Sequence, residues 1–300
     1  AVCVGGNTNL TACTQDCAGE WGGSAFIDSC SVCGGTTTNT DNCPECDVGL
    51  DKGCDGICSE NPLVLDACGI CGGNASSCLV DIDGNIYETV QIGEQIWMAE
   101  NLKVTHYNNG DEIPNGYSNA DWENLSTGAF AVYPSDNDDE SIATCGDNCV
   151  EIYGNIYNWY ALNEERGLCP EGYHAPSEEE WQTLELFLGI SSYHINNTGS
   201  AYRGTNEASQ LAGNKDLWKD GNLDNNQDFG ISNFNALPSG ERHRGWGFLS
   251  LNSRATFWSD TEHHNLTQFS WYRQIDWDDE KISRNIKYKE YGYSIRCLKD

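Results

Sequence analysis

"DGNIYETVQIGEQIWMAENL", residues 83–102, sets two turn signals around an alternating run. Asp83-Gly84 opens a turn, Ile86, Glu88, Val90 and Ile92 alternate after it, Gly93 marks a second turn, and Ile96-Trp97 begins the return. A period of two between glycine turns predicts a β-hairpin. Downstream the period changes. In "PSEEEWQTLELFL", residues 176–188, Ser177 stands three residues before Glu180 and Trp181, Leu184 and Leu188 share one face, which predicts a helix opened by a capping box. A second helix is expected at residues 156–165, with Ile156, Tyr157, Tyr160 and Ala161 inward and Gly167 as the stop. The last third returns to strand patterns in "ATFWSDT", "QFSWYRQIDW" and "YGYSIRCL", the last placing Tyr291, Tyr293, Ile295 and Cys297 on one face. Strands on both sides of a helical centre predict an α+β domain.

Upstream of that hairpin the composition is different. Twelve of the 16 cysteines fall in residues 1–78, whereas 30 of the 32 aromatic residues fall later. A segment with one Trp and one Phe cannot bury enough apolar surface to offset its chain entropy, so covalent staples must hold it. Two domains are therefore expected: a cysteine-rich, loop-rich arm over residues 1–78 and an aromatic-rich domain over 79–300. The arm repeats itself. "DSCSVCGG" at 28–35 recurs as "DACGICGG" at 66–73, and "CVGGNTNLTAC" at 3–13 has the spacing of "CGGTTTNTDNC" at 33–43. The chain opens inside a repeat and shows no charged-then-apolar leader, so it is expected to be the processed form of a secreted precursor.

An even number of cysteines at this density points to disulfides and an oxidising, extracellular destination. The CxxC pairs Cys30/Cys33, Cys43/Cys46 and Cys68/Cys71 also have zinc-ligand spacing. The arm's lack of His and its single Lys favour disulfides over zinc. No run reaches the roughly 18 apolar residues of a membrane span. A formal net charge of -30 argues against nucleic acid and anionic membrane as partners and favours a solvated surface and divalent cations.

Two resemblances rest on these segments. "DCAGEWGGSAFIDSCSVCGG" and "LDACGICGGNASSC" are similar to Cys/Gly repeats of secreted surface and extracellular matrix proteins, which implies a spacer or stalk. "DIDGNIYETVQIGEQIWMAENLKVTHYNNGDEIP", "GNIYNWYALNEERGLCPEGYHAPSEEEWQTL", "FNALPSGER" and "YGYSIRCLKD" resemble, in order, the Fibrobacter succinogenes major paralogous domain. That resemblance implies a C-type-lectin-like fold, related in shape to the formylglycine-generating enzyme domain, on bacterial surface proteins. It also implies a bridge between Cys169 and Cys297, which leaves Cys145 and Cys149 to pair locally. The acidic segment around those two cysteines, "PSDNDDESIATCGDNCVE", departs from the family pattern.

Motifs for catalysis are missing: there is no GxSxG, HExxH, GxxxxGK or post-strand GxGxxG. Formylglycine-type chemistry would need reactive cysteines, and Cys169 and Cys297 read as structural. His263-His264 beside Glu262 and Asp260 is a metal candidate set against a solvated loop. The better one is "DGNLDNNQDFG", where oxygen-bearing side chains recur at Asp220, Asn222, Asp224, Asn226 and Asp228, the alternation a calcium loop uses. Asn225 stands where such a loop needs Gly, and Ile231 where it needs a bidentate Glu, so calcium and a polar surface loop both stay open. "EIPNG", at 112–116, approaches the sugar motif of animal C-type lectins but breaks it with Ile113.

Two functions are expected from this reading. The first is a secreted, non-enzymatic structural subunit whose arm links copies head-to-tail, or to neighbouring surface proteins, in a filament or surface layer. The second is a carbohydrate-binding adhesin that uses the arm as a stalk and exposed aromatics to stack on glycans.

Overall fold

The computed structural model describes residues 79–134, 145–197 and 202–300, together with 51–52, 54, 58–59, 61–64 and 71. The chain divides between Ser77 and Cys78. In the first part β1 (Asp51–Lys52) pairs antiparallel with β2 (Cys58–Ser59), and Cys54 is bonded to Cys71. Cys71 is therefore not available to the zinc pair Cys68/Cys71, while Cys30/Cys33 and Cys43/Cys46 lie outside the described residues.

The second part is α+β and mostly sheet. Its first strands are β3 (Leu79–Val80), β4 (Ile86–Tyr87), β5 (Thr89–Ile92) and β6 (Gln95–Met98). β5 and β6 form the expected hairpin, with Ile92 facing Gln95 across a turn at Gly93, whose φ of 63° is one that glycine adopts without Cβ strain. One detail differs: Tyr87 is buried and Ile86 is exposed, because the Tyr87 hydroxyl donates to Asp81 Oδ2 at 2.6 Å and draws its ring inward.

Next come α1 (Asn119–Trp122), β7 (Phe130–Ala131), α2 (Cys149–Tyr153), β8 (Ile156–Asn158), α3 (Trp159–Leu162) and β9 (Tyr173–His174). The helix expected over 156–165 is thus a strand followed by one helical turn. Asn158 decides it: its backbone is extended, and its side chain accepts from the Ala161 N–H and so caps α3. Ile156 and Tyr157 stay extended because β7 and a strand at 292–293 pair with them on either side. Ile156, Tyr157 and Ala161 are buried as expected, whereas Tyr160 is only half-buried and Trp159 is buried in its stead.

The capping-box helix is α4 (Glu178–Leu188), with both reciprocal bonds of the box present and Trp181 and Leu184 fully buried. Then follow β10 (Tyr202–Arg203), α5 (Glu207–Leu211), α6 (Asn222–Asn225), β11 (Glu241–His243), β12 (Gly247–Leu249), β13 (Arg254–Glu262), β14 (Phe269–Asp276), β15 (Ile282–Tyr288), β16 (Gly292–Tyr293) and β17 (Leu298–Lys299). With the earlier strands they build three larger sheets, in the orders β10-β15-β14-β13, β12-β11-β16-β8-β7 and β5-β6-β17-β9, while β3 pairs with β4. "YGYSIRCL" is therefore not one strand: it supplies β16 to one sheet and β17 to another, and both of its faces are covered.

A cluster around Trp97, Trp181, Phe234 and Phe257 fills the space beneath α4, and a second, around Trp258, Tyr272 and Tyr293, lies on the other face of β13 and β14. Charges are buried with the first. Arg273 grips Glu178 with both terminal nitrogens at 2.8 Å, Arg203 grips Glu185 at 2.7 and 3.0 Å, and Arg284 reaches Glu178 as well. This network pins α4 to the sheet. Cys169 is bonded to Cys297 and Cys145 to Cys149. Among the described residues no helix is long and apolar enough to cross a membrane.

Candidate functional site

The motif "FNALPSGER" ends on β11, and the chain then turns through Arg244, Gly245 and Trp246 into β12. Gly247 closes the turn with a φ of 83°, a backbone that a side chain would strain. His243 organises the turn: its Nδ1 accepts from the Gly245 N–H at 3.0 Å and the Trp246 N–H at 3.2 Å. An acceptor Nδ1 leaves the proton of the neutral ring on Nε2. Burial, with Lys287 and Arg244 nearby, holds the His243 pKa below its ordinary value, so the ring is neutral at pH 7.

That turn presents an aromatic surface with cationic edges. The Trp246 ring lies 4.3 Å from the His243 ring at an angle of 6°, yet its residue is 74% exposed. Behind it, Tyr291 meets His243 edge-on at 4.7 Å, with Lys287 Nζ 4.8 Å from the Tyr291 ring. Arg244 covers Tyr288 at 4.2 Å, and Tyr288 rests on Phe269 at 4.2 Å. The ladder continues inward from Tyr291 to Tyr293, Tyr272 and Trp258. The exposed indole is therefore backed by the core, which limits its motion.

Glu241 stands on the same face of β11 as His243 and is only 5% exposed. Burial pushes its pKa up and Asp276 adds to this, while Arg254 and Lys287 oppose it. Arg254 reaches Glu241 at 3.7 Å and Asp276 at 2.9 Å. A flat exposed ring stacked on His243, with Lys287 on Tyr291 and Arg244 on Tyr288 in the cluster behind it, forms a stacking platform with donors in its neighbourhood. Such a surface suits the apolar face of a sugar ring or an aromatic side chain.

The calcium-pattern residues have other partners. Asp224 accepts from the Gly221 N–H at 2.8 Å and meets Lys215 at 3.1 Å; it caps α6. Asn222 donates to the Asp278 carbonyl, Asn226 accepts from the Asp228 N–H, and Asp228 accepts from Asn206 at 2.7 Å. Asp220 has no described hydrogen bond to the other four. In the turn between β13 and β14, the His263 ring stacks on His264 and its Nδ1 accepts from the Leu266 N–H at 3.2 Å, while Glu262 pairs with Lys289. Among the described residues no group of three or more His, Cys, Asp or Glu side chains is placed to hold a metal ion. Ile113 of "EIPNG" is buried.

The platform was not found from the sequence. Its signal is "ERHRGWG", residues 241–247: Arg242, His243, Arg244 and a glycine-flanked Trp in a strongly acidic chain.

A family model described as the Fibrobacter succinogenes major domain matches residues 90–299. No curated protein and no solved structure matches the chain.

Proposed function

Because this chain belongs to the Fibrobacter succinogenes major domain family, we propose that it is a non-catalytic, secreted surface protein that binds glycans through the platform around Trp246. The observation that carries this reading is the exposed Trp246 ring stacked on neutral His243, with Lys287 on Tyr291 and Arg244 on Tyr288 in the aromatic cluster behind it. The pairing of Cys169 with Cys297 supports a non-catalytic role, since formylglycine-type chemistry needs free thiols. We read the body as C-type-lectin-like; the pairing of β17 with β6, which closes the body near its two ends, and the Cys169–Cys297 bridge support that reading. The arm is then a disulfide-held stalk.

The test is a glycan array with the full chain and with Trp246→Ala. Binding that Trp246→Ala abolishes, while its melting temperature stays put, is the expected result. An array on which wild type and variant give the same signals sinks the reading.

A second reading is favoured by charge. A patch carrying Arg244 and Lys287 on a chain of net charge -30 is complementary to the acidic surface of another copy. Contact between two different patches repeats head-to-tail and yields a fibre. Electron microscopy at low and high salt decides it: end-to-end assemblies that dissolve in salt and vanish on removal of residues 1–78 support self-assembly, and a strict monomer at high concentration refutes it.

A further inference from the structure

On β11, Arg242 points to the face opposite Glu241 and His243, and its surroundings differ from those of every other buried arginine described. Arg203, Arg273 and Arg284 each hold a glutamate. Arg296 is saturated by oxygen: Asn101 Oδ1 and the carbonyls of Met98, Phe234 and Asn235 accept from it. Arg242 is 4% exposed and donates one hydrogen bond, from Nη2 to the Tyr117 carbonyl at 2.6 Å. Its buried Nε has no partner. No carboxylate among the described residues pairs with it.

Aromatic rings pack on the guanidinium, with its carbon 4.1 Å from the Trp122 ring centre and 5.1 Å from that of Phe248. Its remaining donors therefore act in its own plane. Arg242 lines a cavity of about 380 Å³ together with Asn115, Tyr117, Asn119, Phe130 and Phe248. Burial pulls the Arg242 pKa down to about 10, so the group is still charged at neutral pH. A buried cation with unfilled donors is costly unless an anion meets it, and a stacked guanidinium is shaped to meet a carboxylate in its plane.

We propose that this cavity binds a sugar acid, a uronate residue, with its carboxylate on Arg242. The volume is at the small end of ligand pockets and suits one sugar ring. The amides of Asn115 and Asn119 each offer a donor and an acceptor, which matches hydroxyls, and Phe248 gives the ring an apolar wall. Arg242 points across the strand from the Trp246 platform.

Titration calorimetry with the full chain tests this, using glucuronate and galacturonate as probes, glucose as the neutral control and N-acetylglutamate amide as the non-sugar carboxylate. The uronates should bind at least tenfold more tightly than either control, and added salt should weaken them. Arg242→Met should lose at least tenfold of that affinity. Asn119 is exposed, so Asn119→Ala should stay folded and lose a smaller part; it keeps the test decisive if Arg242→Met does not fold. In the Trp246→Ala background, Arg242→Met should still lose at least tenfold of the uronate affinity, which separates this site from the platform. Uronates no better than glucose, an equal response to N-acetylglutamate amide, or full affinity in both Arg242→Met and Asn119→Ala would overturn the proposal.

Discussion

His243 and Trp246 are held together twice, once by parallel rings 4.3 Å apart and once by the Trp246 N–H donating to the His243 Nδ1. The second contact makes the platform sensitive to acid, because a proton on Nδ1 removes the acceptor. The folded protein keeps His243 below its ordinary value of 6.5, so the unfolded chain takes up the proton first. The stability this provides is complete above pH 6.5 and is lost as pH falls from there to the lower folded value. We expect NMR titration to give His243 a pKa below 6.5, with the Trp246 indole resonance moving in the same step. A His243 value at or above 6.5 would show that burial and the neighbouring Lys287 and Arg244 do not govern the ring.

A second pH effect lies at α4. Burial raises the Glu178 pKa, but the charges and hydrogen bonds of Arg273 and Arg284 outweigh it and leave the carboxyl below its ordinary value of 4.5. Stability from this group is therefore present above pH 4.5 and falls as pH drops from 4.5 through the folded value. Glu178→Gln leaves Arg273 short of a counter-charge in a fully buried place. Breaking one side of such a pair costs about 3–5 kcal/mol. Urea unfolding of the variant measures this, and a loss under 1 kcal/mol would mean that Glu185 alone satisfies Arg273.

The Cys169–Cys297 bridge joins residues 128 apart in sequence, and both cysteines are buried. Its removal frees a long loop in the unfolded chain, which the chain-entropy model values at about 4–5 kcal/mol. The double substitution Cys169→Ala/Cys297→Ala should lower the free energy of unfolding by an amount of that order, and loss of Cys145–Cys149, which closes only four residues, by much less. Equal losses from the two would contradict an entropic origin.

Asp224 is 5% exposed and takes the Gly221 N–H and the Lys215 ammonium. Asp224→Ala should cost about 1–2 kcal/mol, as other lost helix caps do. Because these bonds occupy the carboxylate without an ion, the drop in melting temperature should be the same in calcium and in chelator. A drop seen only with calcium present would restore the alternating oxygens as a calcium loop.

Residues 83–102 and 176–188 were legible from sequence because their signals are local. A glycine turn, an alternation and a capping box act within about ten residues, and each is visible in the same bonds that form it. The α+β class and the family followed from the order of such segments. Where partners are distant, local pattern failed. Ile156 and Tyr157 have the composition of a buried helix or strand alike, and the choice was made by Ala131 and Phe130 on one side and by Tyr293, far along the chain, on the other. The oxygens at 220–228 carry the alternation of a metal loop, and the contacts that Asp224, Asp228 and Asn222 make with Lys215, Asn206 and the Asp278 carbonyl are not visible in that pattern. What separates Glu241 from Arg242, adjacent in sequence and both charged, is the pleat of β11, which sends one toward Arg254 and the other into an aromatic slot without a counter-ion. Sequence determined the segments whose turn, alternation or cap acts on neighbours along the chain. Which charges are answered and which ring faces water depended on partners that only the folded sheets bring together.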